Sequence, residues 1–397
     1  MKNSLVFIYI LLLVVAIELV IDFLSLIRLA QLYDTMRITR FFSLIPISFI
    51  ILYLIINLFK LKFNYFSLFL MIILYVSLVN SLFLWQDESD LRYSYYYIFS
   101  EATTIIFAFF CFIFVYNIYF TSDNLKIIEK YLIKVSYIIL YVSSLILLIA
   151  YFLSYIYPNF YFSVSGKILL IPATMFLLKD KLKIYFYTIG IIVLGGKLGV
   201  LISVLISSIF ILKFKFKISN LIFLFTFICL ILFVTLLLYI IKDISNIGII
   251  YKINANYNIW NIDIENIKNF GGGRLIELIS VFKHFSLSDY LLGKGIGFEY
   301  LNIENENEFI HNVHMTPFGL ISKFGILLTF CMYILIFYYL FKKNNSKNVI
   351  LNVFFKSIII GILFFSLTEY SFFVNLILWM SLGYLASVNR SKLCAES

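Results

Sequence analysis

Apolar runs of about twenty residues, cut by short polar stretches, recur from one end of the chain to the other. A helix rising about 1.5 Å per residue crosses a hydrocarbon core of roughly 30 Å in that length. The runs are unbroken and do not alternate over about ten residues, so they predict helices and not the strands of a barrel. Spans are predicted at roughly 4–27, 41–59, 64–85, 98–120, 133–157, 166–179, 183–196, 197–212, 218–241, 313–341, 348–368 and 371–389. The three between 166 and 212 are short, and Gly195-Gly196 parts the second from the third, as in two tilted or broken helices meeting at one face. Residues 242–312 carry no such run and are too many for a simple connection. The predicted fold class is an all-α polytopic transmembrane bundle of about twelve spans with one large extracytoplasmic loop containing an amphipathic helix. It divides into N-terminal spans (1–241), the large loop (242–312), and C-terminal spans with a short tail (313–397).

Composition agrees, with 63% hydrophobic and only 13% charged residues, where soluble domains carry roughly 25% charged. The net charge of +10 does not point to nucleic acid, because the lysines cluster between apolar runs. Lys60 and Lys62, then Lys126, Lys130 and Lys134, then Lys179, Lys181 and Lys183 mark every second loop. Lys213, Lys215 and Lys217, then Lys342, Lys343 and Lys347, and finally Arg390 and Lys392 continue the alternation. That pattern predicts both termini in the cytoplasm and the large loop outside. The first run has no small-x-small cleavage site and is expected to be a retained signal anchor. None of the four cysteines lies in the large loop, so neither a disulfide framework nor a Cys-based zinc site is expected there. Residues 28–40 break the charge rule with Arg28, Arg37 and Arg40. Either this loop lies along headgroups or the first span is drawn wrongly, or the arginines are kept outside to hold an anionic substrate.

The loop carries the chemistry. Gly271-Gly272-Gly273-Arg274 precedes Leu275, Leu278, Ile279, Phe282 and Phe285, which have helical spacing. Arg274 therefore belongs on the first turn of an amphipathic helix, where free N–H groups and an arginine fork suit a phosphate or pyrophosphate. The plain alternative is an exposed polar residue on an interfacial helix. Leu292-Gly293-Lys294-Gly295-Ile296-Gly297 follows no βαβ pattern and is expected to be a tight turn returning the chain to the membrane, not a nucleotide loop. The chain's three histidines, His284, His311 and His314, all lie in this loop. His311 and His314 make a weak metal pair; proton transfer or bonding to a bound sugar or phosphate suits them better, and an ordinary interfacial histidine is the alternative for each. Within the spans Glu18, Asp22, Glu101, Lys197 and Glu369 are costly unless they face a cavity or a partner. Lys197 either points into an outer cavity or snorkels to headgroups.

Taken together, Arg274 with its helix, Leu292-Gly293-x-Gly295-x-Gly297, and His314 eleven residues before Gly325 resemble the O-antigen polymerase (Wzy-type) and O-antigen ligase superfamily. The resemblance covers the span plan and residues 190–330 more specifically. Gly196-Lys197-Leu198-Gly199 stands where that family has a Ser-Arg-Gly-like motif, with lysine replacing arginine and losing bidentate phosphate recognition. His311-Asn312 matches the family's His-Asn dipeptide, while His314 matches the spacing to the glycine. The resemblance implies a metal-independent, cofactor-free membrane glycosyltransferase of the bacterial cytoplasmic membrane. It would move a glycan from a polyprenyl-pyrophosphate carrier onto a lipid-linked repeat unit at the outer face. A ligase passing the finished glycan to another acceptor is the alternative within that class; a lipid-linked-glycan flippase or other transporter is the alternative outside it. The implied roles are catalysis by His314 and Arg274, with Lys197, Arg274, His311, Arg37, Arg40 and Glu369 contacting pyrophosphate or glycan, and Glu369 or Glu101 orienting the histidine. The implied partners are the lipid-linked oligosaccharide and membrane lipid, with a chain-length regulator protein a further candidate.

A topology reporter fused after Asn261 is expected to read as extracytoplasmic; cytoplasmic reporter activity there would overturn the orientation.

Overall fold

The computed structural model describes residues 2–29, 35–83, 91–156, 166–195, 198–214, 274–301 apart from His284, 309–342 apart from Asn312 and His314, 348–368 and 372–390. The predicted span at 218–241, most of the large loop, and Lys197, His314 and Glu369 lie outside the described residues. The chain is mostly helical, an all-α membrane bundle in its main mass. Among the described residues its helices are α1 (Lys2–Leu29), α2 (Thr35–Ile56), α3 (Tyr65–Phe83), α4 (Tyr95–Tyr116), α5 (Ser122–Ile156), α6 (Leu170–Leu178), α7 (Leu182–Gly195), α8 (Leu198–Phe214), α9 (Arg274–Phe282), α10 (Leu287–Leu292), α11 (Thr316–Phe341), α12 (Val349–Ser366) and α13 (Leu376–Arg390). Among the described residues six helices are long and apolar enough to cross a membrane: α1, α3, α4, α5, α11 and α12. Arg37 and Arg40 lie on the first turns of α2. Helix α5 starts well before the predicted position 133, because Thr121 Oγ accepts from the Asn124 N–H at 3.3 Å and so caps a polar first turn.

Two compact units share these helices. The first draws on residues 1–46, 121–260 and 347–364. Two charged pairs lie inside its apolar surroundings, where burial in lipid favours pairing. Lys167 meets Glu18 at 2.8 Å. Glu129 takes Lys179 and, at 2.8 Å, the Asn348 amide. Small residues bring helices close: Ser207 Oγ donates to the Ser357 carbonyl at 2.9 Å. A Cβ at Gly361 would fall 2.6 Å from both Leu170 and Ser207. Such contacts are how helices associate where lipid removes the hydrophobic drive.

The second unit draws on residues 47–120, 261–346 and 365–397. Trp379 of α13 stacks on Phe373 and on Phe66 of α3, and its indole N–H reaches the Phe372 carbonyl at 3.2 Å. Helix α13 lies tightly on α4, since a Cβ at Gly383 would fall 2.8 Å from the Phe112 carbonyl oxygen.

One feature departs from the all-α expectation. At the N-terminal ends of α4 and α11 lies a three-stranded antiparallel sheet of β1 (Leu91–Tyr93), β2 (Phe298–Leu301) and β3 (Phe309–Ile310), in the order β1-β2-β3. Tyr93 pairs with Phe298, Leu91 and Ile310 both pair with Tyr300, and Leu301 pairs with Phe309. Strands of two to four residues are too short for an alternation signal to register. The sheet binds the α3–α4 connection to the large loop, and α9 packs on it. Together they enclose a core of Tyr93, Val281, Phe298, Tyr300 and Val313, lined further by Leu278, Phe282 and Phe285. Leu278, Phe282 and Phe285 of the predicted stripe pack on this core, Ile276 and Val281 are buried as well, and Ile279 is half exposed. Ser280, polar in a buried position, is satisfied by the Ile276 carbonyl at 2.8 Å.

Candidate functional site

Helix α4 carries Glu101 on its second turn, and the residue is 7% exposed. Opposite it α11 carries Lys323, 1% exposed, whose Nζ pairs with Glu101 Oε1. His311, just past β3, places Nε2 at 3.3 Å from the same oxygen. The other oxygen, Oε2, accepts the Gly297 N–H at 2.8 Å. One carboxylate therefore binds a helix, a strand end and a glycine turn from three separate stretches of chain. Leaving a charge this deep without partners would cost several kcal/mol, roughly 3–5 once a partner is removed.

The glycine turn meets the helices backbone to backbone. Helix α11 breaks at Gly325, which has φ 74° and ψ 169°. The break frees carbonyls, and the turn fills them: Lys294 N–H donates to Ser322 O and Gly295 N–H to Lys323 O, both at 2.9 Å. Gly297, at φ +83°, could not hold a side chain, since a Cβ would fall 2.1 Å from Ile98 Cγ1. Here the sequence expectation is sharpened: the glycine-rich stretch is a peptide clasp on broken helix, with its N–H groups spent on protein.

His311 is fixed on every side. Its Nδ1 lies 3.1 Å from the Phe298 carbonyl, and Tyr97 stacks on its ring at 3.7 Å between centroids and 16° between planes. Both ring nitrogens thus lie against protein acceptors, the Phe298 carbonyl and the Glu101 carboxylate. His311 holds Glu101, and Glu101 in turn holds it. Near by, burial and the Glu277 carboxylate push the Tyr300 hydroxyl above its ordinary pKa, so it stays neutral.

Of the residues singled out in the sequence, the described structure brings together Glu101 and His311. Arg274 is the first residue of α9, at the expected helix start. Lys323 was not among the residues singled out, although a lysine a third of the way into an apolar span is itself the signal. Lys356, buried in α12, carries the same signal. No protein-family profile, no curated protein and no solved structure matches this chain.

Lys323→Met alone, or Glu101→Gln alone, is expected to lower the thermal stability of the detergent-solubilised protein sharply, by about 3–5 kcal/mol. The double variant should recover a substantial part. Single-variant losses that simply add in the double would show that the pair is not coupled.

Proposed function

We propose that the chain is a polysaccharide polymerase of the O-antigen or capsule type, working at the outer face of the bacterial cytoplasmic membrane. Its donor would be a glycan on a polyprenyl pyrophosphate, and its acceptor a sugar hydroxyl of another lipid-linked repeat unit. The acceptor oxygen attacks the donor's anomeric carbon, the bond from that carbon to the pyrophosphate breaks, and the hydroxyl proton passes to a base. In this reading Arg274 binds the departing pyrophosphate and His314 takes the proton. Lys197 and the arginines Arg37 and Arg40 are further cations for the anionic carrier, and Glu369 a further polar contact.

One observation supports this more than any other. The helix that begins at Arg274 and the residues flanking His314 share one core: Val281 comes from α9, and Val313 directly precedes His314. The two residues that carry the motif resemblance are thus on segments anchored to a single small layer. Helix α9 has nine residues and begins at Arg274. The N–H groups at a helix start and the arginine's two-pronged cation suit a pyrophosphate that gains charge as it leaves. The Glu101–His311 contact is the positioning element beneath, two residues before Val313. A ligase needs the same donor chemistry, so the reaction product separates the two.

Arg274→Ala is expected to abolish long-chain surface polysaccharide while single-repeat glycan persists, a rate loss of about two to three orders of magnitude. Arg274→Lys, which keeps charge but loses the fork, should give shortened chains. A normal ladder in Arg274→Ala contradicts the assignment; polymer stranded on its lipid carrier in a deletion strain makes the chain a ligase.

A further inference from the structure

Residues 287–297, the short helix α10 and the irregular glycine turn that follows it, are wedged among apolar helices, which raises the question of what medium they occupy. The nearest contacts give their depth. Helix α4 has 22 residues, about 33 Å, close to the roughly 30 Å core of a bilayer. The turn touches it at Ile98 and Glu101, the latter about 9 Å from the helix start at 1.5 Å per residue. On α11 it touches Ser322, Lys323 and Gly325, about 9 to 14 Å beyond Thr316 by the same rise.

Backbone at that depth is tolerated only where protein satisfies it, and here it does. Five successive N–H groups find acceptors: Gly293 on Asp289 O, Lys294 on Ser322 O, Gly295 on Lys323 O, Ile296 on Ser81 Oγ and Gly297 on Glu101 Oε2, all between 2.8 and 2.9 Å. The carbonyls of Leu292, Lys294 and Ile296 accept from Asn80, Tyr93 and Ser81 at 3.0, 2.9 and 2.7 Å. The charges are neutralised locally as well. Asp289 accepts from the Ser286 N–H at 2.9 Å and pairs with Lys294 at 3.0 Å.

The outward side is apolar. Leu287, Leu291 and Leu292 of α10 are each half or more exposed. They continue a stripe on α11 in which Ile326, Phe330 and Ile334, four apart, are also exposed. The two meet at Gly325, where a Cβ would lie 2.1 Å from the Leu291 carbonyl oxygen. That stripe lies on a helix of membrane-crossing length and composition.

We infer that residues 287–297 form a re-entrant segment at membrane depth, with the α10 leucines against the acyl chains of the bilayer. The segment is a wedge of the lipid-facing surface, and the α9–sheet layer above it is thereby seated on the membrane. This rests on backbone satisfaction, charge pairing and continuity with α11, and is independent of the proposed reaction.

The test places a spin label at single cysteines in full-length protein lacking Cys111, Cys229, Cys331 and Cys394, reconstituted in vesicles of phosphatidylethanolamine and phosphatidylglycerol. Labels at Leu291 and Leu287 are compared with Ile334, on the exposed α11 stripe, and with Asp123, exposed on the first turn of α5. All four side chains point outward, so the substitutions leave the core intact. Expected is collision with oxygen exceeding collision with a water-soluble nickel complex at 291, as at 334, and the reverse at 123, with 287 shallower than 291. A label at 291 that behaves like 123 overturns the inference. So does one shielded from both reagents with dipolar broadening, which would make this ridge a contact between copies of the chain.

Discussion

A carboxylate removed from water must collect donors and cations or give up its charge, and Glu101 collects three. Lys323, His311 and the Gly297 N–H converge on its two oxygens from a broken helix, a strand end and a glycine turn. None of these groups is local to the others in sequence, so the carboxylate closes several long loops of chain at once. The neighbouring bonds follow from it. With Lys323 drawn to Glu101, the break of α11 at Gly325 offers its carbonyls to the N–H groups of Lys294 and Gly295. With Gly297 drawn to Oε2, β2 begins in register with β1, and Ser94 N–H reaches the Gly297 carbonyl at 3.0 Å. The layer formed by α9 and the sheet is seated on the helices through these contacts.

Much of the helical framework was legible because its signal is crude and repeated. Each predicted apolar run other than 218–241, which lies outside the described residues, falls on a helix. The alternation needed to announce a strand cannot develop in the two residues of Phe309–Ile310, so the sheet was invisible. The stripe on α9 was legible in Leu278, Phe282 and Phe285, while Ser280 was not, because it is buried by bonding back to Ile276, a use of serine that hydrophobic spacing does not report. The glycines between 293 and 297 were readable as a turn. Their partners were not, since Ser81, Asn80 and Ser322 are distant and individually unremarkable. Glu101 and His311 stood out by type; that they touch, and that Lys323 completes them, depends on tertiary register.

For function, the geometry shows how His311 is held and leaves the proposed chemistry to Arg274 and His314. A histidine stacked under Tyr97 with both nitrogens against protein acceptors braces the Glu101 carboxylate. The proposal therefore rests on the segments that this clamp steadies: the helix headed by Arg274, and the residues that run from His311 through Val313 into α11. Rigid support of that kind is what a transfer between two large lipid-linked glycans demands, because the pyrophosphate, the anomeric carbon and the acceptor hydroxyl must be aligned together.

The central claim is that Glu101 holds this layer in place, and amide exchange tests it most directly. In the purified protein, peptides covering residues 293–301 and 309–311 should exchange slowly. In Glu101→Gln they should exchange at least about tenfold faster, while peptides from α5 to α8 are unchanged. Undiminished protection of residues 293–301 in that variant would contradict the account.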